Sequence, residues 1–178
     1  MSDVDFRADC ARCAALCCVA FHFDRSDQFG FDKATGEPCA HLTAAGRCGI
    51  HRRRAEQGFR GCVGYDCHGA GPWVTQVLFG GRSWLDNPAL LGPMAEAFLR
   101  VERARRLLVL LREARKLDLS ASDRRRLRRL DAAAQRTAAH ARPTPALEAE
   151  AQVFLRSLSR YLPPPSPASE RGRPGQRG

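Results

Sequence analysis

The distribution of cysteine constrains this chain more than any other feature of its sequence. All eight cysteines of the 178 residues lie before residue 70, and four of them fall between Cys10 and Cys18. Thiols at this density form disulfides, bind metal, or pack as small apolar side chains in a core. Which of the three applies determines how the first part of the chain folds.

The cellular compartment distinguishes disulfides from metal ligation. The chain begins MSDVDFRADC, which is polar and acidic, whereas a secretory signal begins with basic residues followed by an apolar run. No stretch approaches the roughly 20 apolar residues of a membrane-spanning helix. The sequence therefore predicts a cytoplasmic protein without a membrane segment, in which thiols stay reduced and clustered cysteines bind metal.

The cysteine spacing suits thiolate ligation of zinc or of an iron–sulfur cluster. Cys10/Cys13 and Cys17/Cys18 supply two close groups, and later segments supply the other four thiols. The predicted ligands are Cys10, Cys13, Cys17, Cys18, Cys39, Cys48, Cys62 and Cys67, with His51 and His68 as further candidates. Histidine beside cysteine permits mixed zinc ligation, whereas the predominance of sulfur permits a [4Fe–4S] cluster, so the sequence leaves the metal open.

The adjacent pair Cys17–Cys18 limits how these ligands can be shared. On a helix two consecutive side chains point about 100° apart, so a single ion does not accommodate both comfortably. Either the two thiols serve separate centres, or one of them bridges, or one packs in the core. Metal ligation would tie separate chain segments together and stabilise a core-poor region of about 70 residues.

Charge and composition divide the chain into parts. Basic and acidic residues balance at nine each over residues 1–70, so the net charge of +10 arises from residues 71–178. The predicted organisation is a cysteine-cluster metal-binding domain at 1–87, a basic helical region at 88–162, and a disordered tail at 163–178 that is rich in Pro, Gly and Arg. No internal repeat is visible.

Hydrophobic periodicity predicts a mainly α-helical fold with one minor hairpin. The residues that follow a single helix face near the N-terminus are Cys10, Cys13, Cys17 and Phe21. Residues 21–31 are typical of a short hairpin, and residues 50–57 of a short helix. A further helix is predicted to open at Pro72 and to end before Gly80, with a strand over 73–79 as the competing interpretation.

The region after residue 87 has a clearer helical pattern. A long helix is predicted at 88–116, and a second one begins at Ser120 or Ser122 and continues to about residue 140. A third begins with Thr144 as N-cap and Pro145 in its first turn. Its apolar side is formed by Leu147, Phe154, Leu155, Leu158 and Leu162. The small metal-stapled domain is thus predicted to be followed by a helical hairpin or a three-helix extension.

The segments CARCAALCC, CAHLTAAGRCGIHRRR, GC and YDC resemble a bacterial cysteine-cluster family described as a zinc- or iron-chelating domain. The residues that fit its pattern are Cys10, Cys13, Cys17, Cys18, Cys39, Leu42, Cys48, Ile50, His51, Arg53 and Cys62. The gap from Cys13 to Cys17 is one residue longer than in the tighter form, and no proline follows the RRR run. The combination GF-x-GC-x-x-YDC-x-GAG with FGG-x-x-W is similar to the N-terminal region of actinobacterial pentapeptide-repeat proteins, but the repeats themselves are absent. This resemblance covers about residues 5–90 and implies cysteine-cluster metal binding.

These observations leave three functions open, and they do not indicate a particular partner. The first is a metal-binding protein with a structural or redox-sensing role. The second is a nucleic-acid-associated regulator that uses basic helices at 100–142, where the run Arg124–Arg129 would neutralise phosphates. The same run fits an ordinary amphipathic helix in a chain with 27 arginines and two lysines. The third is an iron–sulfur enzyme of unknown substrate, although the absence of a phosphate loop, a G-x-S-x-G and an HExxH motif favours a role without catalysis.

Overall fold

The computed structural model describes residues 5–139 and 144–163 and is mainly α-helical, as the hydrophobic pattern predicts. Its α-helices are α1 (Leu16–Ala20), α2 (Arg60–Val63), α3 (Ala70–Trp73), α4 (Leu91–Ala114), α5 (Ala121–Ala139) and α6 (Pro145–Ser157). A π-helical turn, Val74–Leu78, extends α3, and 3-10 turns occur at Cys10–Arg12, His51–Arg53, Pro88–Leu90 and Leu158–Tyr161. In this part of the chain no helix is both long enough and apolar enough to cross a membrane. The tail predicted to be disordered lies, from residue 164 on, outside the described residues.

Helix α4 is the central element of the fold, and it confirms the long helix predicted at 88–116. The Asn87 side chain accepts the Ala89 N–H at 3.2 Å, and Pro88 starts the 3-10 turn that leads into the helix. The large buried side chains of α4 recur at helical spacing. They are Met94, Phe98, Val101, Leu108 and Leu111. The first half of α4 packs against α1 and α3, and the second half against α5 and α6.

The second half of α4 forms a three-helix bundle with α5 and α6, which confirms the predicted extension. The Ser120 hydroxyl caps α5 by accepting the Asp123 N–H at 3.2 Å. Thr144 caps α6 by accepting the Leu147 N–H at 3.3 Å. The larger side chains of the bundle core are Leu107, Leu108, Leu111, Leu119, Leu127, Leu130, Phe154 and Leu158. Leu162, predicted on the apolar side of the third helix, is exposed because α6 changes to a 3-10 turn before it.

A second hydrophobic core joins the cysteine-rich region to the first half of α4. Leu16, Val19 and Ala20 of α1 are buried there, together with Ala70 and Val74 around α3. The residues that α4 contributes are Met94, Ala95, Ala97, Phe98 and Val101. The core of the cysteine-rich region thus extends past residue 87, and the domain boundary predicted at that position stays a prediction.

The prediction of a single helix over Cys10–Phe21 is wrong, because the structure has a 3-10 turn and a separate α-helix there. The 3-10 turn Cys10–Arg12 and helix α1 are separated at Ala15, whose backbone adopts a left-handed conformation with φ 53°. The Cys13 sulfur stabilises the break by accepting two backbone N–H groups that follow it. The Trp84 indole donates a further hydrogen bond, at 2.7 Å, to the carbonyl oxygen of the residue after Cys13. Long-range and thiol hydrogen bonds therefore override the helical spacing.

The other elements predicted between residues 21 and 81 are present, two of them in shortened form. The hairpin is reduced to one antiparallel bridge, Phe23–Lys33. The helix predicted at 50–57 is a 3-10 turn, His51–Arg53, followed by turns that end at Gly58 with φ 82°. The helix predicted from Pro72 begins two residues earlier, at Ala70, and the competing strand is wrong.

Residues 21–69 have almost no apolar core of their own. Within this segment, which is described throughout, Phe59 is the only buried hydrophobic residue. Its ring packs among those of Phe23, Phe29, Phe31 and His41 at centroid separations of 4.9 to 6.5 Å. A segment of this size with so little buried apolar surface needs another source of stability.

Candidate metal centre

The eight cysteines come from separate segments of the chain and fall into two sets. All eight are free thiols. Cys13, Cys17 and Cys67 pack against the hydrophobic core that α1, α3 and α4 share, and the turn that begins at Cys10 packs on α3. The other four cysteines are not part of that core, and the Cys39 N–H bonds to the Cys18 carbonyl oxygen. The first cysteine set is Cys10, Cys13, Cys17 and Cys67. The second cysteine set is Cys18, Cys39, Cys48 and Cys62.

Burial holds most of these thiols in the protonated form. Burial raises the pKa of Cys13 to about 11. Burial likewise raises the pKa of Cys62 to about 11, and there the neighbouring thiolates include Cys18 and Cys39. Such thiols ionise near neutral pH only when a cation takes the place of the proton.

The first cysteine set is assembled around α3. The carbonyl oxygen of Cys67 accepts the Ala70 N–H at 2.9 Å, so this cysteine is bonded to the first residue of the helix. The 3-10 turn that begins at Cys10 packs on α3. The Cys13 sulfur lies so close to the same helix that a Cβ at Gly71 would be 2.5 Å away. Three of the four thiols are therefore held by contacts with one short helix.

Two hydrogen bonds fasten the N-terminal segment to the π-helical turn that extends α3. The Ala14 N–H donates to Thr75 Oγ1 at 3.1 Å across 61 positions of the sequence. The Gln76 side-chain amide donates to the Arg12 carbonyl oxygen at 2.9 Å across 64 positions. Because these bonds lie on either side of Cys13, they fix the position of its thiol.

The second cysteine set is joined by loop hydrogen bonds. The Cys39 N–H donates to the Cys18 carbonyl oxygen at 3.0 Å, which places the start of the 39–48 loop against α1. Cys48 takes part in the antiparallel bridge that closes the same loop. The Arg54 guanidinium donates to the Cys62 carbonyl oxygen at 2.7 Å. Loop contacts therefore place Cys39 and Cys48, whereas Cys18 and Cys62 lie on the short helices α1 and α2.

Cys17 and Cys18 are neighbours on α1 and connect the two sets. The Cys17 thiol donates a hydrogen bond to the Cys18 sulfur, which lowers the pKa of Cys18 and raises that of Cys17. The positive charges of Lys33 and Arg54 also lower the pKa of Cys18. Cys18 is therefore the thiol of the pair that deprotonates first.

The thiols are close together but are not spaced as the ligands of an ion. Over residues 5–139 and 144–163, no group of three or more His, Cys, Asp or Glu side chains has the geometry to hold a metal. Of the two candidate histidines, His51 is exposed on its 3-10 turn. His68 is half-buried, and its Nδ1 lies 3.8 Å from Asp66 Oδ1. Metal binding would require the thiols of a set to rotate toward a common point.

Lys33 is a buried cation beside the second cysteine set, and no local motif indicates it. Its side chain is 5% exposed, and its ammonium group donates to the carbonyl oxygens of Val19, Phe21 and Ala34. The first two of these lie at the C-terminal end of α1, where a helix leaves carbonyl groups without internal partners. The signal in the sequence is compositional, since Lys33 is one of two lysines in an arginine-rich chain.

Arg105 is the corresponding buried cation beside the first cysteine set. It is 5% exposed, and its guanidinium donates to the carbonyl oxygens of Asp5 and His68 at 2.6 and 2.9 Å. It also lies 5.8 Å from the centroid of the Trp73 ring. Burial lowers the pKa of Arg105, and the nearby Cys67 and Asp5 side chains oppose that shift. Nothing in the sequence distinguishes this arginine from the others of α4.

A buried carboxylate lies near the first cysteine set. Glu102 is buried on α4, with its Oε1 3.7 Å from Nε of Arg106, and burial raises its pKa. The Tyr65 hydroxyl is also buried and has no hydrogen-bond partner within the described part of the chain. Burial, together with the charge of Glu102, raises the pKa of Tyr65.

Glu102→Gln is expected to make the protein more stable at about pH 8 and to change its stability little at about pH 4. The folded state holds the Glu102 proton above the pH at which the unfolded chain releases it, so the wild-type protein loses stability as pH rises through this range. Urea unfolding at both pH values measures the effect. Glu96→Gln is the matched control, since Glu96 pairs with Arg100 at the same spacing but is exposed. Lower stability of Glu102→Gln at about pH 8 would contradict the prediction.

The basic run on α5 makes several contacts within the three-helix bundle. Arg124 Nη1 is 3.9 Å from Asp118 Oδ1, and Arg129 pairs with a glutamate of α6. The Arg126 guanidinium lies 5.3 Å from the centroid of the Phe154 ring. These contacts give the run a role in packing, and nucleic-acid binding stays a prediction.

One curated protein is similar to this chain over much of its length. The uncharacterized protein YybG of Bacillus subtilis (strain 168) is 39% identical over 116 residues. The matched region is 65% of this chain and 42% of YybG, so the chain spans less than half the length of that relative. No family model and no solved structure matches the chain. The resemblance to the cysteine-cluster family therefore stays a prediction.

Proposed function

We propose that this chain is a metal-binding protein whose cysteine-rich region folds around zinc or an iron–sulfur cluster held by thiolates. The observation that carries the proposal is that residues 21–69 bury one hydrophobic residue, Phe59, while free cysteines of this segment meet α1. The Cys39 N–H bonds to the Cys18 carbonyl oxygen, and Cys67 packs on the same core as Cys17. The role is structural or redox-sensing, in a reducing compartment such as the cytoplasm, where thiols remain available for metal. The resemblance of the cysteine pattern to a zinc- or iron-chelating family supports the same assignment.

Metal ligation supplies the stability that the apolar core of this region lacks. Structural zinc binds small cysteine-containing domains with an apparent free energy of about 10–16 kcal/mol. The net stability of a whole domain is about 5–15 kcal/mol. The free energy of binding a metal through thiolates is therefore large enough to keep a segment with a single buried hydrophobic residue folded. The metal also joins loops that otherwise have few contacts.

Backbone N–H groups already point at two of the sulfurs. The Cys13 sulfur accepts the N–H groups of Ala15 and Leu16, and the Cys39 sulfur accepts that of His41. Hydrogen bonds of this kind favour the thiolate over the thiol and orient it for ligation. A cysteine that merely fills space in a core has no need of such donors, so this feature supports ligation over packing.

Elemental analysis of anaerobically purified protein tests the proposal. Stoichiometric zinc in colourless protein, or iron with inorganic sulfide in brown protein, supports it and identifies the metal. Cys13→Ser/Cys62→Ser is expected to lose the metal, whereas the control variant His51→Ala/His68→Ala is expected to retain it. The proposal is contradicted if the wild-type protein contains neither zinc nor iron and unfolds at the same temperature with and without a chelator.

A further inference from the structure

We infer that the eight cysteines hold two separate metal centres, one in each cysteine set, which meet where Cys17 and Cys18 follow one another on α1. The inference rests on the proposed function, that these cysteines bind metal, and it adds the number and the membership of the centres. The first centre takes Cys10, Cys13, Cys17 and Cys67, and the second takes Cys18, Cys39, Cys48 and Cys62.

Four sulfur ligands complete either a structural zinc site or a [4Fe–4S] cluster. Zinc in structural sites is tetrahedral, and a [4Fe–4S] cluster is held by four cysteines. Each cysteine set contains four thiols, so both centres are complete without histidine and no cysteine is left over. Binding of a divalent ion forms four metal–sulfur bonds and releases to solvent the protons that its four thiol ligands still carry, with no change in oxidation state.

The two cysteine sets have different scaffolds, which keeps the centres apart. In the first set, Cys13 lies against Gly71 of α3, and the Cys67 carbonyl oxygen accepts the N–H of the first residue of that helix. In the second set, a loop reaches α1 through the hydrogen bond from Cys39 N–H to the Cys18 carbonyl oxygen. Helix α1 is the one element that contributes a thiol to both sets, so it is the junction between them.

Helix α1 directs its two adjacent thiols into different surroundings. Consecutive side chains on a helix are about 100° apart. Cys17 packs against the apolar core that α1 shares with α4, whereas Cys18 lies near Lys33 and Arg54. On metal binding, the hydrogen bond between these two sulfurs is replaced by one metal–sulfur bond to each centre.

Each cysteine set has its own buried cation, as two separate anionic centres require. Four thiolates around one divalent ion leave a net negative charge, and a buried charge is costly unless it is paired. Lys33 donates to the carbonyl oxygen of Val19, which follows Cys18 of the second set. Arg105 donates to that of His68, which follows Cys67 of the first set, and both cations are 5% exposed. The hydrogen bonds of both cations go to backbone carbonyl oxygens, which do not neutralise their charge.

Zinc titration of the full chain tests the inference. Reduced, metal-free protein is titrated with zinc, and the bound zinc is measured after free metal has been removed. Wild-type protein is expected to bind two zinc ions per chain, and Cys67→Ser and Cys62→Ser are each expected to bind one. The double variant is expected to bind none. For protein loaded with [4Fe–4S] clusters, the corresponding wild-type ratio is eight iron atoms per chain.

A steric variant tests the first centre without removing a ligand. Gly71→Ala places a Cβ 2.5 Å from the Cys13 sulfur, closer than real contacts allow, so this variant is expected to bind one zinc ion. Gly92→Ala is the matched control, because it also changes a helix glycine but has no other atom within 4 Å of the new Cβ. It is expected to bind two. Circular dichroism of each variant reports whether helices α4, α5 and α6 remain folded.

The outcomes separate the inference from the proposed function. One zinc ion per wild-type chain, or loss of both ions in folded Cys67→Ser or Cys62→Ser, overturns the two-centre arrangement and leaves metal binding intact. Retention of both ions in Gly71→Ala and in Cys67→Ser also overturns the assigned membership. Wild-type protein that binds neither zinc nor iron overturns the proposed function itself.

Discussion

Removal of the metal is expected to unfold residues 21–69 and to leave the bundle of α4, α5 and α6 folded. The first segment depends on ligation because Phe59 is its only buried hydrophobic residue. The bundle has its own core, which includes Leu108, Leu130 and Phe154. A structural metal contributes about 10–16 kcal/mol of folding free energy in small domains. Its removal therefore takes away more free energy than the remaining contacts of the segment provide.

Limited proteolysis with and without a chelator measures this effect. Trypsin is expected to cut rapidly after Arg25, Arg47 and Arg52 once the metal is removed, because the loops that carry them lose their anchor. Cleavage within α4 and α5 is expected to stay slow. Zinc added back in excess controls for the chelator and is expected to restore protection. The same cleavage pattern with and without metal, at the same unfolding temperature, would rule out a structural role.

Phe98→Ala is expected to lower the free energy of unfolding by about 3–5 kcal/mol. Phe98 is 0% exposed, and its ring meets that of Phe21 edge to face with centroids 5.6 Å apart. Its Cε2 also faces Gly71 of α3, so the cavity forms where α1, α3 and α4 meet. Because α3 positions the first cysteine set, the substitution is also expected to weaken metal retention there.

Phe154→Ala is the matched control for this prediction. Phe154 is also 0% exposed, but it lies in the core of the α4–α6 bundle, away from the cysteines. Phe154→Ala is expected to lower the free energy of unfolding by a similar amount and to leave the metal content unchanged. Urea unfolding measures the stability, and transfer of metal to a chelating dye measures retention. A cost below about 1 kcal/mol for Phe98→Ala, or equal metal loss in both variants, would count against the prediction.

The helices after residue 87 were predictable because their signals are local. The caps at Ser120 and Thr144 bond to N–H groups three residues away, and the buried side chains of α4 repeat at helical spacing. Each of these signals lies within one or two turns of the chain. The pattern failed only at the margin, where Leu162 follows the end of α6 and is exposed.

The N-terminal cysteine segment shows why the same reasoning failed elsewhere. The spacing from Cys10 to Phe21 fits one face of a helix, yet the backbone turns left-handed at Ala15. The bonds that hold this turn come from Thr75 and Trp84, which are 61 and 70 positions from their partners. A local pattern carries no information about partners at that distance.

Cysteine spacing and composition alone were enough to establish a thiol-rich first part, a helical second part and a candidate ligand set. The neighbours of each thiol could not be established in this way, because contacts between distant segments place them. Examples are the hydrogen bond from the Cys39 N–H to the Cys18 carbonyl oxygen and the packing of Cys67 on the core shared by α1 and α4. The same holds for Lys33 and Arg105, two of 29 basic residues, which are buried near thiols. Burial depends on how distant segments pack together, and a one-dimensional pattern does not record that packing.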